Sequence, residues 1–164
     1  MTCWGSSRPS ARRWIDCCHI IVAAELTNNA SDAAELPTML QAVEGDLGAL
    51  PEQALADTGY KAEAVFQALA DSGCDLVVAL GREGKQALRF DPERSPYAAA
   101  MAAKLQTDEG KAAYRRRKWI AEPPNGWIKN VLGFRQFSLR GLHRVQVEWK
   151  LACLALNLRG MAAM

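Results

Sequence analysis

The spacing of apolar positions changes several times along the chain, and each change marks an element. Ile20-Ile-Val-Ala-Ala24 is β-branched and continuously apolar, and Thr27-Asn-Asn-Ala-Ser31 follows it as a turn, so residues 19–26 read as a buried strand. Leu36, Met39, Leu40, Val43 and Leu47 then recur at helical intervals and predict a helix over 33–47. Asp32 stands three residues before Glu35 in a capping-box-like arrangement, and Pro37 is tolerable because it lies near the first turn. Residues 53–57 form a short strand that stops at Thr58-Gly59. Val65, Phe66 and Leu69 predict a helix over 61–72 ended by Gly73, and residues 74–80 are a further strand. Strand, helix, strand, helix, strand is the rhythm of an α/β sheet.

The pattern then becomes helical to the end. Residues 81–97, with Gly81, Gly84, Pro92 and Pro96, form a long polar loop of the kind that is functional or mobile. Helices are predicted over 98–105 and 108–120, and Pro123-Pro124 is expected to break or restart the second. Leu142, Val145, Trp149, Ala152 and Leu156 make a stripe that packs a last helix on the domain. Residues 1–17 show no periodicity and stay unassigned. There is no internal repeat.

Composition adds boundaries. The 164 residues suit about one domain, and 49% hydrophobic with 23% charged residues is globular rather than disordered. No run approaches the roughly 18 apolar residues of a membrane span, and the first residues lack the charged-then-apolar design of a secretory leader. Cys3, Cys17, Cys18, Cys74 and Cys153 make an odd count without metal spacing, so reduced thiols in a cytoplasmic protein are expected.

Charge divides the chain. The net +2 averages an acidic stretch over 1–103, with eight basic and fourteen acidic side chains, and a basic one over 104–164, with twelve against four. Such asymmetry suits a polyanion partner such as nucleic acid; a solvated basic helix, or one docked on the acidic half, is the plainer alternative.

Two acids stand out. Asp57 lies where a strand ends in a glycine-containing turn, and ligands of α/β sheets bind at the carboxyl ends of strands; it could equally just stabilise the Thr58-Gly59 turn. Glu122 is a lone acid after Tyr114-Arg-Arg-Arg-Lys-Trp-Ile-Ala. It could be a metal ligand beside a phosphate-binding surface, or an ordinary surface ion pair. Other candidates are weaker. Gly81-Arg-Glu-Gly84-Lys85 lacks the full phosphate-loop spacing, and His19 and His143 have no partners at metal spacing. Trp119 and Trp127 flank Glu122 and suit either base stacking or a core role.

Four stretches give the chain a resemblance. They are Ile20-Ile-Val-Ala-Ala-Glu-Leu-Thr-Asn-Asn-Ala-Ser-Asp32; Leu55-Ala-Asp-Thr-Gly-Tyr60; Glu109-Gly-Lys-Ala-Ala-Tyr-Arg-Arg-Arg-Lys118 through Glu122 and Lys129; and Gly133-Phe-Arg-Gln-Phe-Ser-Leu-Arg-Gly-Leu142 with Glu148-Trp149 and Asn157-Leu158. Together, in this order, they resemble the C-terminal part of bacterial insertion-sequence transposases of the DDE class, over roughly residues 20–158.

The resemblance implies an α/β fold: a partial RNase H-like mixed sheet flanked by helices, with a helical C-terminal third. It implies DNA transposition, in which carboxylates hold two Mg²⁺ (or Mn²⁺) ions for strand cleavage and transfer. Asp57 matches the second catalytic and metal-binding acid and Glu122 the third. Tyr114, Arg117, Lys118 and Lys129 correspond to residues facing DNA, although Tyr114 and Arg117 lie one residue further from Glu122 than in the commonest pattern. Partners would be transposon ends and target DNA, with a homo-oligomer or a full-length transposase possible and no membrane. The location would be the bacterial cytoplasm, at the nucleoid.

Departures from the family accompany the matches. The family's first catalytic Asp, on an upstream strand, has no counterpart in residues 1–19, and neither Asp16 nor Asp32 matches it. Residues 1–19 are therefore expected to be an atypical segment ahead of a truncated catalytic domain over 20–164. With the first catalytic strand missing, the sheet edge should stand open, and the chain should be inactive alone. A non-catalytic fragment that binds DNA or a transposase is the alternative.

Overall fold

A computed structural model of the chain describes the backbone of residues 10–15, and residues 19–29, 31–81 and 90–162. Asp16 and residues 82–89 of the polar loop expected over 81–97, including Gly84 and Lys85, lie outside the described residues. The elements run β1 (Ser10–Ile15), β2 (Ile21–Thr27), α1 (Glu35–Leu47), β3 (Gln53–Ala56), a single 3-10 turn (Thr58–Tyr60), α2 (Glu63–Leu69), β4 (Asp75–Val78), α3 (Pro96–Gln106), α4 (Asp108–Asn130) and α5 (Leu142–Ala162). They fall into two compact units, Ser31–Arg117 and the pair of segments Met1–Ala30 with Lys118–Met164.

The unit of residues 31–117 is a β3–α2–β4 crossover with α1 and α3 beside it. β3 and β4 pair in parallel, Gln53 opposite Asp75 through Ala56 opposite Val78. Helix α1 turns Leu36, Met39, Leu40 and Val43 inward, as the spacing predicts, whereas Leu47 stays exposed. Ala34 occupies the N-cap without a side-chain hydrogen bond, and the Asp32 backbone carbonyl accepts from Glu35 N. The cap of α3 is tertiary instead: Glu63 receives Tyr97 N at 2.8 Å and Ala98 N at 2.9 Å, one on each carboxylate oxygen, where the helix dipole favours negative charge. Lys104, near the end of α3, pairs with Asp75 and donates to Leu76 O at 2.8 Å.

The second unit joins β1 and β2 to the end of α4 and to α5. The segment ahead of Ile20, which shows no periodicity in the sequence, contains a strand. Residues Ser10–Ile15 form a strand antiparallel to β2, in register from Ser10 opposite Thr27 to Ile15 opposite Ile21. The charged pair Arg12-Arg13 hides this strand from a hydrophobicity reading, and pairing with β2 supplies what local pattern does not. Among the described residues the strands make one antiparallel two-stranded ladder, β1 with β2, and one parallel one, β3 with β4.

Two amide side chains of α5 bond backbone groups of β2. Gln146 Oε1 accepts Leu26 N at 2.7 Å while its Nε2 donates to Ala24 O at 3.1 Å. Asn157 does the same for Ile21, accepting its N–H at 2.8 Å and donating to its carbonyl at 2.7 Å. The spacing fits: eleven residues of helix and five of strand both span about 16–17 Å. Val145, Trp149, Ala152 and Cys153 of α5 join Ile21, Ala24 and Leu26 of β2 and Ile128 of α4 in one core.

Helix α4 runs through Pro123-Pro124 without a break, which corrects the expectation of one. Pro123 cannot supply the N–H that would normally bond the carbonyl four residues back. His19 takes its place, with Nε2 donating to Trp119 O at 2.7 Å. It does so from a left-handed backbone (φ 63°), a conformation that histidine adopts more readily than most non-glycine residues.

Candidate active site

Asp57 is positioned by the parallel ladder. It follows the last residue of β3, half-buried, and caps the Thr58–Tyr60 turn by accepting Gly59 N on Oδ1 at 3.0 Å. Tyr60 is fully buried and anchors that turn, while Thr58 Oγ1 donates to Gly81 O beyond β4 at 3.1 Å. The Asx contact read as an alternative role for Asp57 is therefore present, and it fixes where the carboxylate stands.

A second carboxylate lies close by. Asp57 Oδ1 and Asp32 Oδ2 lie 3.2 and 3.7 Å from the point a Cβ on Gly59 would occupy. The missing side chain at Gly59 leaves room for both acids. Sequence reasoning read Asp32 as a helix-start signal and as an acid that does not match the first catalytic position; no local pattern links it to Asp57, because the approach is made by the fold.

Tyr114 and Arg117 belong to the same unit and pack on one another, the guanidinium carbon 5.2 Å from the ring centroid. Arg117 Nε is buried without a hydrogen-bond partner among the described residues. Arg116 instead ties α4 to β3, Nη2 donating to Gln53 Oε1 at 2.7 Å. The structure thus makes Arg117 a partly packed cation rather than a freely solvated one.

Lys118, Glu122 and Lys129 belong to the other unit. Lys118 and Glu122 are both exposed, four residues apart and so on one face of α4. Because α4 is continuous, Lys129 stands two turns and about 10 Å beyond Glu122 on the same side. The two tryptophans separate in role. Trp119 is 78% exposed, whereas Trp127 packs against the core beneath the Arg159 guanidinium, 4.8 Å from its ring centroid. Asp57 and Glu122 thus fall in different units.

Other ionisable groups serve the scaffold. Burial and the neighbouring Asp75 push the Cys74 thiol up against the opposing pull of Lys104, which disfavours the reactive thiolate. For Asp75, burial is outweighed by hydrogen bonds from Lys104 and Gln53 and by the charge of Lys104, so its carboxyl lies below the usual range. Glu148 accepts Ser138 N at 2.8 Å and Leu139 N at 3.0 Å. These bonds outweigh its slight burial and hold its carboxyl low too. They pin the loop between Gly133 and Gly141, both in left-handed backbone, to the following helix.

Among the described residues, no three His, Cys, Asp or Glu side chains gather as a metal cluster, and no helix is long and apolar enough to cross a membrane. What the fold and site define is an α/β protein with an acid at a strand's carboxyl end and another acid on a long basic helix. The model of the transposase DDE domain family matches residues 16–158, and the chain belongs to that family. No match was found among curated proteins or among solved structures.

Proposed function

We propose that this chain serves DNA transposition, carrying Asp57 and Glu122 as carboxylates for strand cleavage and transfer, and that alone it binds DNA without cutting it. The observation that carries this reading is the family match over 16–158, which includes both acids. Asp57 supports it by standing at a strand's carboxyl end in a fixed orientation. Glu122 supports it by standing exposed on the same helix side as Lys129.

The donor chemistry fits a hard cation. Carboxylates are the ligands Mg²⁺ or Mn²⁺ takes beside phosphate oxygens. Asp57, with Asp32 beside it, and Glu122 would hold the ions. When bound, such a pair of ions stabilises the entering and leaving oxygens of a phosphodiester exchange. The side chains of Lys118 and Lys129 supply positive charge for the DNA backbone, while Arg117, braced on Tyr114, is a candidate for a positioned phosphate contact.

The reading that the chain does not cut alone rests on the match of only two of the family's three catalytic acids. The test is nicking of supercoiled DNA by the purified chain with Mg²⁺ or Mn²⁺. Binding without nicking is the expected result. Nicking by the wild type that is lost in Asp57→Asn and Glu122→Gln would keep the two acids and refute the inactivity. Nicking that survives both substitutions would overturn the site itself.

A further inference from the structure

Helix α4 lacks backbone donors where it carries Glu122. In an α-helix the hydrogen bonds that span this position run from residues 123, 124 and 125 to the carbonyls of Trp119, Ile120 and Ala121. Pro123 and Pro124 bring no N–H, so the backbone cannot make the first two. At the third, Asn125 places its side chain on the same carbonyl, Nδ2 donating to Ala121 O at 2.9 Å. The turn that bears the acid is thus short of its own ladder.

His19 reaches that turn from outside the helix, Nε2 donating to Trp119 O at 2.7 Å. Its base is held firmly. Ile20 Cδ1 lies 3.6 Å from the position a Cβ on Gly160 of α5 would take. Ile21 is buried, and Asn157 of α5 bonds both its N–H and its carbonyl. The His19 ring therefore joins a strand start anchored on α5 to the turn Trp119–Pro123. Both His19 and Glu122 are exposed, so this bond adds little to overall stability, and its consequence is local.

We propose that His19 is a positioning residue for Glu122. By bonding the Trp119 carbonyl that Pro123 cannot serve, it fixes the direction in which α4 presents the carboxylate to a divalent cation. The inference rests on the reading of Glu122 as a metal-binding acid. A ligand must be held to within about 0.5 Å of its working place, and a turn without two of its ladder bonds needs an outside support to meet that.

Titration of the full chain with Mn²⁺, followed by the paramagnetic resonance signal of the free ion, tests the support without requiring turnover. Glu122→Gln should weaken Mn²⁺ binding about tenfold or more. His19→Phe should weaken it about three- to tenfold. His19→Gln should stay within about twofold of wild type, because glutamine sets an N–H the same number of bonds from Cα. Phe and Gln meet the same left-handed backbone at position 19 (φ 63°), so their difference isolates the N–H. Pro123→Ala returns a donor to the ladder, and in that background His19→Phe should lose no affinity.

Wild-type affinity in His19→Phe beside a loss in Glu122→Gln overturns the positioning role and keeps Glu122 as a ligand. No Mn²⁺ binding, or wild-type affinity in Glu122→Gln, removes the acid from the metal site and the role of His19 with it. A loss in His19→Gln as large as in His19→Phe, or a loss that persists beside Pro123→Ala, also overturns the proposal. Should His19→Phe alone fail to fold, His19→Gln against wild type and the pair in the Pro123→Ala background decide by the same criteria.

Discussion

The turn from α3 into α4 gives a sharp test of the packing. Gly110 lies in the first turn of α4, where Thr107 caps the helix: its Oγ1 accepts Gly110 N at 3.0 Å and donates to Lys104 O at 2.7 Å. A Cβ on Gly110 would stand 2.0 Å from the Lys104 carbonyl oxygen and 2.8 Å from its carbon, both backbone atoms. In an unobstructed helix, Gly→Ala gains about 1 kcal/mol. Here the backbone must shift by more than 1 Å to restore van der Waals separation, at about 1–3 kcal/mol for overpacking. The shift also breaks the Thr107 cap, worth about 1 kcal/mol. The balance for Gly110→Ala is a loss of roughly 1–3 kcal/mol, or a Tm lower by about 2–12 °C for a chain this size. Gly45 in α1 and Gly126 in α4 have nothing within 4 Å of the same position. Gly45→Ala and Gly126→Ala should therefore each raise stability by up to about 1 kcal/mol. Urea unfolding of the three variants beside the wild type makes the comparison. Gly110→Ala at or above wild-type stability would refute the close approach of α3 to α4.

Two further predictions concern the second unit. Gln146→Leu and Asn157→Leu should each cost about 1–3 kcal/mol, because each leaves backbone groups of β2 unpaired; urea midpoints equal to wild type would mean that β2 does not depend on α5 for its edge. The lowered Glu148 carboxyl makes a pH-dependent contribution. Its stabilisation is fully present above the unfolded range near pH 4.3 and is lost as pH falls through the lower folded value, since the unfolded state then binds more protons. The gap between wild type and Glu148→Gln should be largest at pH 6–7, at most about 1 kcal/mol after solvent screening, and should close toward pH 3. A gap that widens in acid would contradict the Ser138 and Leu139 contacts.

The local parts of this fold were legible in the sequence. The apolar runs locate β2, β3 and β4, the three- and four-residue spacing locates α1 and α2, and the inward stripe of α5 is right at Val145, Trp149 and Ala152, although Leu142 is exposed. What local pattern missed is what distant residues supply. β1 carries Arg12 and Arg13 and exists through its pairing with β2. In helix α4, His19, a hundred residues earlier, serves the carbonyl that Pro123 cannot. Asp32 reaches Gly59 beside Asp57 only in the folded chain.

The central claim is that the basic carboxyl-terminal part meets DNA. Fluorescence anisotropy of a labelled duplex, titrated with the full chain between 50 and 200 mM salt, tests it most directly. If Arg117, Lys118 and Lys129 each neutralise one phosphate, the log–log salt slope is about −2.7, and affinity falls roughly 40-fold across that range. Charge reversal at Lys118 and Lys129 should flatten the slope. An affinity unchanged by salt, or no binding at the low-salt end, would contradict the account.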